Sequence, residues 1–316
     1  MILTNIPEGI LPRVYLDRLE NLGGEKVLTL SEDGRLAGKN EIENVDILII
    51  FGWRGINLAD YPALKWVFSL SAGVENTPFE ELKRREIILT NTRGIHGPQI
   101  SEQVIGMMIS FSRRLALARD YQSRKRWSQA LPVDELTGKK LLIIGAGSIG
   151  TEIARKAAAF DMHITGIKKN PSNLDNFESV EGIENLHKNL KEADYVVLIT
   201  PLTDETFHLI GKEEFSSMKK EGYFINISRG DTVDETALIE ALRTKAIAGA
   251  GLDVFHTEPL PADSPLWEME NVIITPHNSG ITPHYMDRAA EIFLKGLALF
   301  RDGKTPPNLI DLSRKY

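Results

Sequence analysis

Short apolar runs alternate with polar segments of helical spacing along the whole chain. In residues 1–97, Val27-Leu28-Thr29-Leu30, Ile47-Leu48-Ile49-Ile50-Phe51, Trp66-Val67-Phe68-Ser69-Leu70 and Ile87-Ile88-Leu89-Thr90 read as strands. The charged segments between them read as helices, which predicts a small α/β domain built on a parallel sheet. Pro98 to Trp127 carries Ile100, Val104, Met107, Met108, Phe111, Leu115 and Ala118 at helical spacing. It predicts one long helix ending in a solvated basic cluster, Arg124-Lys125-Arg126. From Gly138 the alternation becomes regular, with strands expected near 140–144, 163–167, 195–200, 223–226, 248–252 and 272–275 and helices between them. That is the pattern of a doubly wound parallel sheet. A last apolar helix is expected from Asp287 to Phe300.

Composition narrows the class. At 316 residues, two domains are expected, and 42% hydrophobic with 26% charged residues suits a globular protein. A net charge of −7 argues against a nucleic-acid partner, which requires a concentrated basic surface. The chain has no Cys, which removes disulfides, thiolate catalysis and thiolate metal sites, and fits a reducing cytoplasm. No apolar run reaches membrane-spanning length, and the first residues lack a leader pattern, so a cytoplasmic protein is expected. No His/Asp/Glu group has ligand-like spacing, so no metal is expected.

The chemistry begins after the first strand of the regular series. Lys140 to Ile144 breaks into Gly145-Ala146-Gly147-Ser148-Ile149-Gly150, followed by a helix from Thr151 to Phe160. In a strand–glycine–helix unit, Gly145 allows the tight turn, Gly147 lets backbone approach a pyrophosphate, and Gly150 lets helix and strand pack closely. The helix start adds unpaired N–H groups and a positive dipole end. This is the fingerprint of a Rossmann dinucleotide site. Three ionisable residues then follow later strands: Arg229 in Asn226-Ile227-Ser228-Arg229-Gly230, Glu258 in Asp253-Val254-Phe255-His256-Thr257-Glu258-Pro259, and His277 in Thr275-Pro276-His277-Asn278-Ser279-Gly280. An Arg there can grip a carboxylate with two parallel bonds, a His can exchange a proton, and a Glu beside it can fix its orientation. His96, His208, His256 and His284 receive no role. Two loops of the first part, Gly52-Trp53-Arg54-Gly55 and Ser71-Ala72-Gly73-Val74-Glu75-Asn76, also follow strands and are candidate substrate contacts.

With the glycine fingerprint, Asn226-x-x-Arg229-Gly230-x-x-Val233-Asp234, Gly249-x-Gly251-Leu252-Asp253-Val254-Phe255-x-x-Glu258-Pro259 and Thr275-Pro276-His277 in that order, the chain resembles the D-isomer-specific 2-hydroxyacid dehydrogenase family over nearly its whole length. The segment from Glu258 to Trp267 resembles the glyoxylate/hydroxypyruvate reductase branch. The resemblance implies a smaller flavodoxin-like substrate domain formed by residues 1–97 and 283–316, interrupted by a dinucleotide domain over 98–282, and a homodimer formed through the dinucleotide domains. It implies that His277 donates a proton, that Glu258 partners it, and that Arg229 clamps the carboxylate of a small 2-oxo acid beside the backbone of Ala72 and Gly73. It also implies cofactor contacts at Gly145, Gly147, Ser148, Ile149, Gly150, Thr200, Pro201, Ile227, Ser228, Arg229, Asp253, His277, Ser279 and Gly280, with Asp253 near the carboxamide.

The end of the second strand of the series speaks to the cofactor. NAD-preferring sites place an acidic residue there. This chain has Lys168, followed by Lys169, which would attract a 2′-phosphate. NADP(H) is therefore the expected cofactor, with NAD(H) as the alternative. The expected substrate is glyoxylate, hydroxypyruvate or a similar 2-oxo acid. Two competing readings are a 3-phosphoglycerate dehydrogenase, with Arg54 as a phosphate contact, and a non-catalytic dinucleotide-sensing corepressor.

Overall fold

The computed structural model describes residues 1–6, 13–23, 27–29, 42–71, 73–74 and 76–313. The chain divides into two compact units, Met1–Ile95 with Thr282–Tyr316, and His96–Ile281.

The first unit holds a five-stranded parallel sheet in the order β2-β1-β3-β4-β5. Its strands are β1 (Ile2–Thr4), β2 (Val27–Thr29), β3 (Ile47–Ile50), β4 (Trp66–Ser69) and β5 (Ile88–Asn91). The sequence pattern misses β1, whose three residues are too few to show a period, although all three are buried between β2 and β3. Helices α1 (Arg13–Gly23) and α2 (Phe79–Arg84) join the strands. Alternate residues face opposite sides: Ile47, Ile49, Trp66 and Phe68 enter one core cluster, and Leu48, Ile50 and Val67 the other. Burial on both faces is why these strands read as continuous apolar runs. The chain's last helix, Tyr285–Arg301, lies on the first of those clusters. Phe293 stacks on Trp66 at 5.2 Å, and Trp66 donates from its indole to Thr90 Oγ1 at 2.8 Å.

The second unit holds a seven-stranded parallel sheet in the order β12-β11-β10-β9-β6-β7-β8. Its strands are β6 (Lys140–Ile144), β7 (His163–Ile167), β8 (Ser179–Glu181), β9 (Tyr195–Leu198), β10 (Tyr223–Asn226), β11 (Gly249–Leu252) and β12 (Val272–Ile274). β8 escapes the sequence pattern because it is a short edge strand with half-buried, mostly polar residues. Again the two faces are both covered, with Leu142, Ile144, Val196 and Leu198 on one side and Leu141, Ile143, Tyr195 and Val197 on the other.

The single helix expected from Pro98 to Trp127 is two helices, α3 (Gly97–Ser112) and α4 (Leu115–Ser123). Arg114 breaks them by adopting a left-handed conformation, φ 54°. Arg113 and Arg114 then donate to the carbonyls of Asp134 and Pro132, tying the following extended segment back to the break. The apolar spacing runs unbroken through this point, so periodicity alone does not reveal it. The helix after the glycines, α5 (Ser148–Ala158), starts three residues before Thr151. Further helices are α6 (Leu186–Leu190), α7 (Lys212–Ser217) and α8 (Glu235–Arg243), which makes Tyr285–Arg301 α9. Among the described residues no helix is long and apolar enough to cross a membrane.

Candidate active site

Every strand of the second unit points its carboxyl end to the same edge, and that edge collects the candidate residues. The chain runs outward through β6, β7 and β8, then returns to the other side of β6 for β9 to β12, so the order reverses between β6 and β9. Ligands of such sheets bind outside the strand ends at that reversal. Gly145 sits there with φ +106°, and a Cβ on it would lie 2.6 Å from the carbonyl oxygen of Ile199. A Cβ on Gly150 would lie 2.7 Å from the carbonyl of Gly145. Both positions therefore exclude any side chain.

The residues at this edge fit a dinucleotide. Gly147 precedes α5 with no side chain capping the helix, and a Cβ there would meet nothing within 4 Å, so the first-turn N–H groups of Ser148 and Ile149 face room for an anion. Next to the turn, Thr200 Oγ1 is buried with no hydrogen-bond partner. An unpaired buried hydroxyl beside the turn suits a polar group of a bound dinucleotide. Pro201 is exposed, while Ile227 and Ser228 are buried, Ser228 being bonded to Asn226 and Thr232. Lys168, half-buried, follows β7 and donates its N–H to Glu181. Lys169 is exposed and bonded through its ammonium to both oxygens of Glu205, at 2.6 and 2.8 Å, a partner not visible in the sequence.

His277 and Glu258 are brought together. Nδ1 of His277 lies 2.6 Å from Glu258 Oε2, and Glu258 Oε1 accepts the N–H of Phe255 at 3.0 Å. The pair is half-exposed, and with Nδ1 engaged, Nε2 is the nitrogen left for proton exchange. The Arg229 loop packs tightly against the Glu258 loop: a Cβ on Gly230 would fall 2.0 Å from the carbonyl of Phe255. Arg229 bonds its own chain at Ser228 O, 2.8 Å.

His277 has a left-handed backbone, φ 50°, uncommon for a residue with a Cβ. Buried Asp253 holds it there. Its Oδ1 accepts from Thr275 Oγ1 at 2.5 Å, Asn278 N at 3.1 Å and Gln103 Nε2 at 3.3 Å, and its Oδ2 from Ser279 N at 3.1 Å. Its carbonyl takes the N–H of His277 at 2.8 Å. Gln103, on α3, also donates to Thr275 Oγ1 at 2.6 Å, and Gln99 donates to the carbonyl of Gly280. These glutamines are invisible to motif reading because they lie within a helix, outside the strand-end loops that carry the motifs.

His96, assigned no role from the sequence, is buried beside Gly280 and within the field of Arg229. Burial, then that positive charge, hold its imidazole below the ordinary value. His187 lies with the adjacent pair Glu213 and Glu214, their ligand atoms within 4.8 Å of one another, a grouping that spacing along the chain does not show. Glu214 is already bonded to Gly211 N and His187. Of the residues in the first unit, Gly73 lies half-buried after β4, while Ala72 and Glu75 are outside the described residues. Trp53 donates to Thr77, and Arg54 is exposed.

A doubly wound sheet with an uncapped glycine turn at its reversal, and an Arg, a Glu–His pair and a buried Asp on the same edge, has the make-up of a pyridine-nucleotide enzyme's site. Residues 105–279 match the NAD binding domain of the D-isomer specific 2-hydroxyacid dehydrogenases. The chain is 36% identical over 257 residues to a glyoxylate reductase of Korarchaeum cryptofilum, covering 79% of this chain and 77% of that protein. It is 31% identical to a D-3-phosphoglycerate dehydrogenase of Methanocaldococcus jannaschii, covering 93% of this chain and 56% of that one. A D-isomer specific 2-hydroxyacid dehydrogenase family protein of Aeromonas salmonicida superposes with a TM-score of 0.87 at 35% identity, over 98% of this chain and 99% of the other. One from Xanthobacter autotrophicus, solved with NADPH and MES, superposes with a TM-score of 0.85 at 28% identity, over 100% and 99% of the two chains. The chain belongs to the D-isomer specific 2-hydroxyacid dehydrogenase family and is an NAD(P)-dependent oxidoreductase.

Proposed function

We propose that the protein reduces a small 2-oxo acid, of the glyoxylate or hydroxypyruvate type, to the D-2-hydroxy acid with NADPH as the preferred reductant. The observation that carries this reading is the 2.6 Å Glu258–His277 contact on the same sheet edge as Arg229 and the glycine turn. When bound, the reduced nicotinamide supplies a hydride to the carbonyl carbon. Arg229 grips the carboxylate and draws electron density from the adjacent carbonyl. His277 gives the proton on Nε2 to the carbonyl oxygen, and Glu258 holds the ring so that Nε2 stays presented. Asp253, Thr275 and Gln103 act through the backbone of residues 277–279 and are positioning residues.

Lys168, standing where an acid would face the ribose, supports the NADPH preference. Trp127, 91% exposed, and α4, with no buried residue, support self-association through this unit.

Turnover of glyoxylate, hydroxypyruvate, pyruvate, 3-phosphohydroxypyruvate and longer 2-oxo acids with NADPH and NADH tests the reading. His277→Ala should lower kcat on the order of a hundredfold while NADPH binding persists. NADPH binding without turnover of any acid would favour the corepressor-like alternative, and preference for the phosphorylated acid would favour the phosphoglycerate enzyme.

A further inference from the structure

In the sheet order β9-β6-β7, the strand carrying the glycine turn lies between the two strands whose following loops bear Glu205 and Lys169. The Lys169 ammonium meets both carboxylate oxygens of Glu205. This ion pair therefore reaches from one neighbour of β6 to the other, across the carboxyl end of β6. The second-strand end is where a dinucleotide places its adenosine ribose.

Glu205 stands on a stiff turn. Thr206 Oγ1 donates to Pro201 O at 2.6 Å and accepts from Thr203 N at 2.8 Å, while Thr206 N and Phe207 N both donate to Thr203 O, at 3.0 and 2.9 Å. Lys169 is anchored from the other side by the bond of Lys168 N to β8. Both partners are about two-thirds exposed, 68% and 70%, so the pair is weak enough to open.

We propose that the Lys169–Glu205 pair is a strap across the adenosine half of the cofactor site, and that Glu205 sets cofactor specificity by competing with the 2′-phosphate for Lys169. The inference rests on the reading of Lys168 and Lys169 as 2′-phosphate ligands. When NADPH enters, Lys169 must leave the carboxylate for the phosphate, so its attraction to the phosphate is partly offset by the loss of the Glu205 pair. NADH has only a hydroxyl at that position and gains nothing from the exchange. The strap thus narrows the preference that the lysines create.

Fluorescence titration at low ionic strength gives the dissociation constants of NADPH and NADH. Glu205→Gln should tighten NADPH about two- to fivefold and change NADH by less than about twofold. The NADPH gain should shrink when Lys169→Met is added, because Glu205 then has no ammonium to hold. An equal gain for both cofactors, no NADPH gain, or a gain undiminished by Lys169→Met overturns the strap. Lys168→Met and Lys169→Met, measured alone, separate the two claims. If they weaken NADPH while Glu205→Gln does nothing, only the strap falls. If neither weakens NADPH, the 2′-phosphate reading falls with it.

Discussion

Replacing Gln103 by Leu removes the two hydrogen bonds by which this side chain reaches Asp253 and Thr275 from α3, and leaves helix propensity and side-chain bulk nearly unchanged. The 2.6 Å bond to Thr275 Oγ1 is well formed, and the 3.3 Å bond to Asp253 is long but charge-assisted. Asp253 is 0% exposed and keeps its three other donors, so the loss is one weakened carboxylate bond and one hydroxyl left without its donor. Together they are worth about 1–3 kcal/mol. For a unit of this size that lowers Tm by roughly 3–10 °C in calorimetry. The functional effect should fall on kcat, because the loosened turn carries the strained φ 50° backbone of His277, while Arg229 and the glycine turn are untouched. Steady-state kinetics should show kcat reduced on the order of tenfold, with KM and the NADPH dissociation constant nearly unchanged. A Tm shift under about 1 °C, or a rise in KM at constant kcat, would refute the assignment of Gln103 as a positioning residue.

Three further expectations follow from the same edge of the sheet. Gly145→Ala adds a methyl 2.6 Å from Ile199 O at φ +106°, and should destabilise the protein by about 2–4 kcal/mol and weaken both cofactors alike; a wild-type urea midpoint with wild-type binding would contradict it. Arg229→Lys should cost roughly ten- to a hundredfold in kcat/KM, mostly through KM for the 2-oxo acid, since an ammonium cannot reproduce the planar two-pronged grip. His96 is held below the ordinary 6.5 by burial and by Arg229, so in the window beneath 6.5 the unfolded chain takes up the proton first. Stability is complete above that value and declines as pH falls toward the depressed folded value. His96→Gln should flatten that decline, and equal slopes for the two proteins in urea titrations across mild acid would exclude the effect.

Much of the fold is legible from one-dimensional pattern because the two parallel sheets bury both faces of their central strands. Ile47–Ile50, Tyr195–Leu198 and Lys140–Ile144 stand out as apolar runs for that reason. Elements lacking that double burial, or long enough run, do not show: the edge strand Ser179–Glu181 is largely polar, and Ile2–Thr4 is too brief. The break at Arg114 is equally hidden, since a left-handed arginine leaves no mark on apolar spacing. Gly145 and Gly150 are readable because close backbone approach admits no other residue type, and Arg229, Glu258 and His277 because each follows a strand whose end reaches the ligand edge.

What the chain order alone could determine were the strand ends and the residues attached to them. Only the tertiary structure decided which of those residues meet. The Glu258–His277 pair, the Asp253 network reaching back to Gln103, and the Lys169–Glu205 bridge join positions 19, 150 and 36 residues apart. Such contacts depend on strand order in the sheet. That order is chosen by the packing of whole faces against helices, and no local run of residues encodes it.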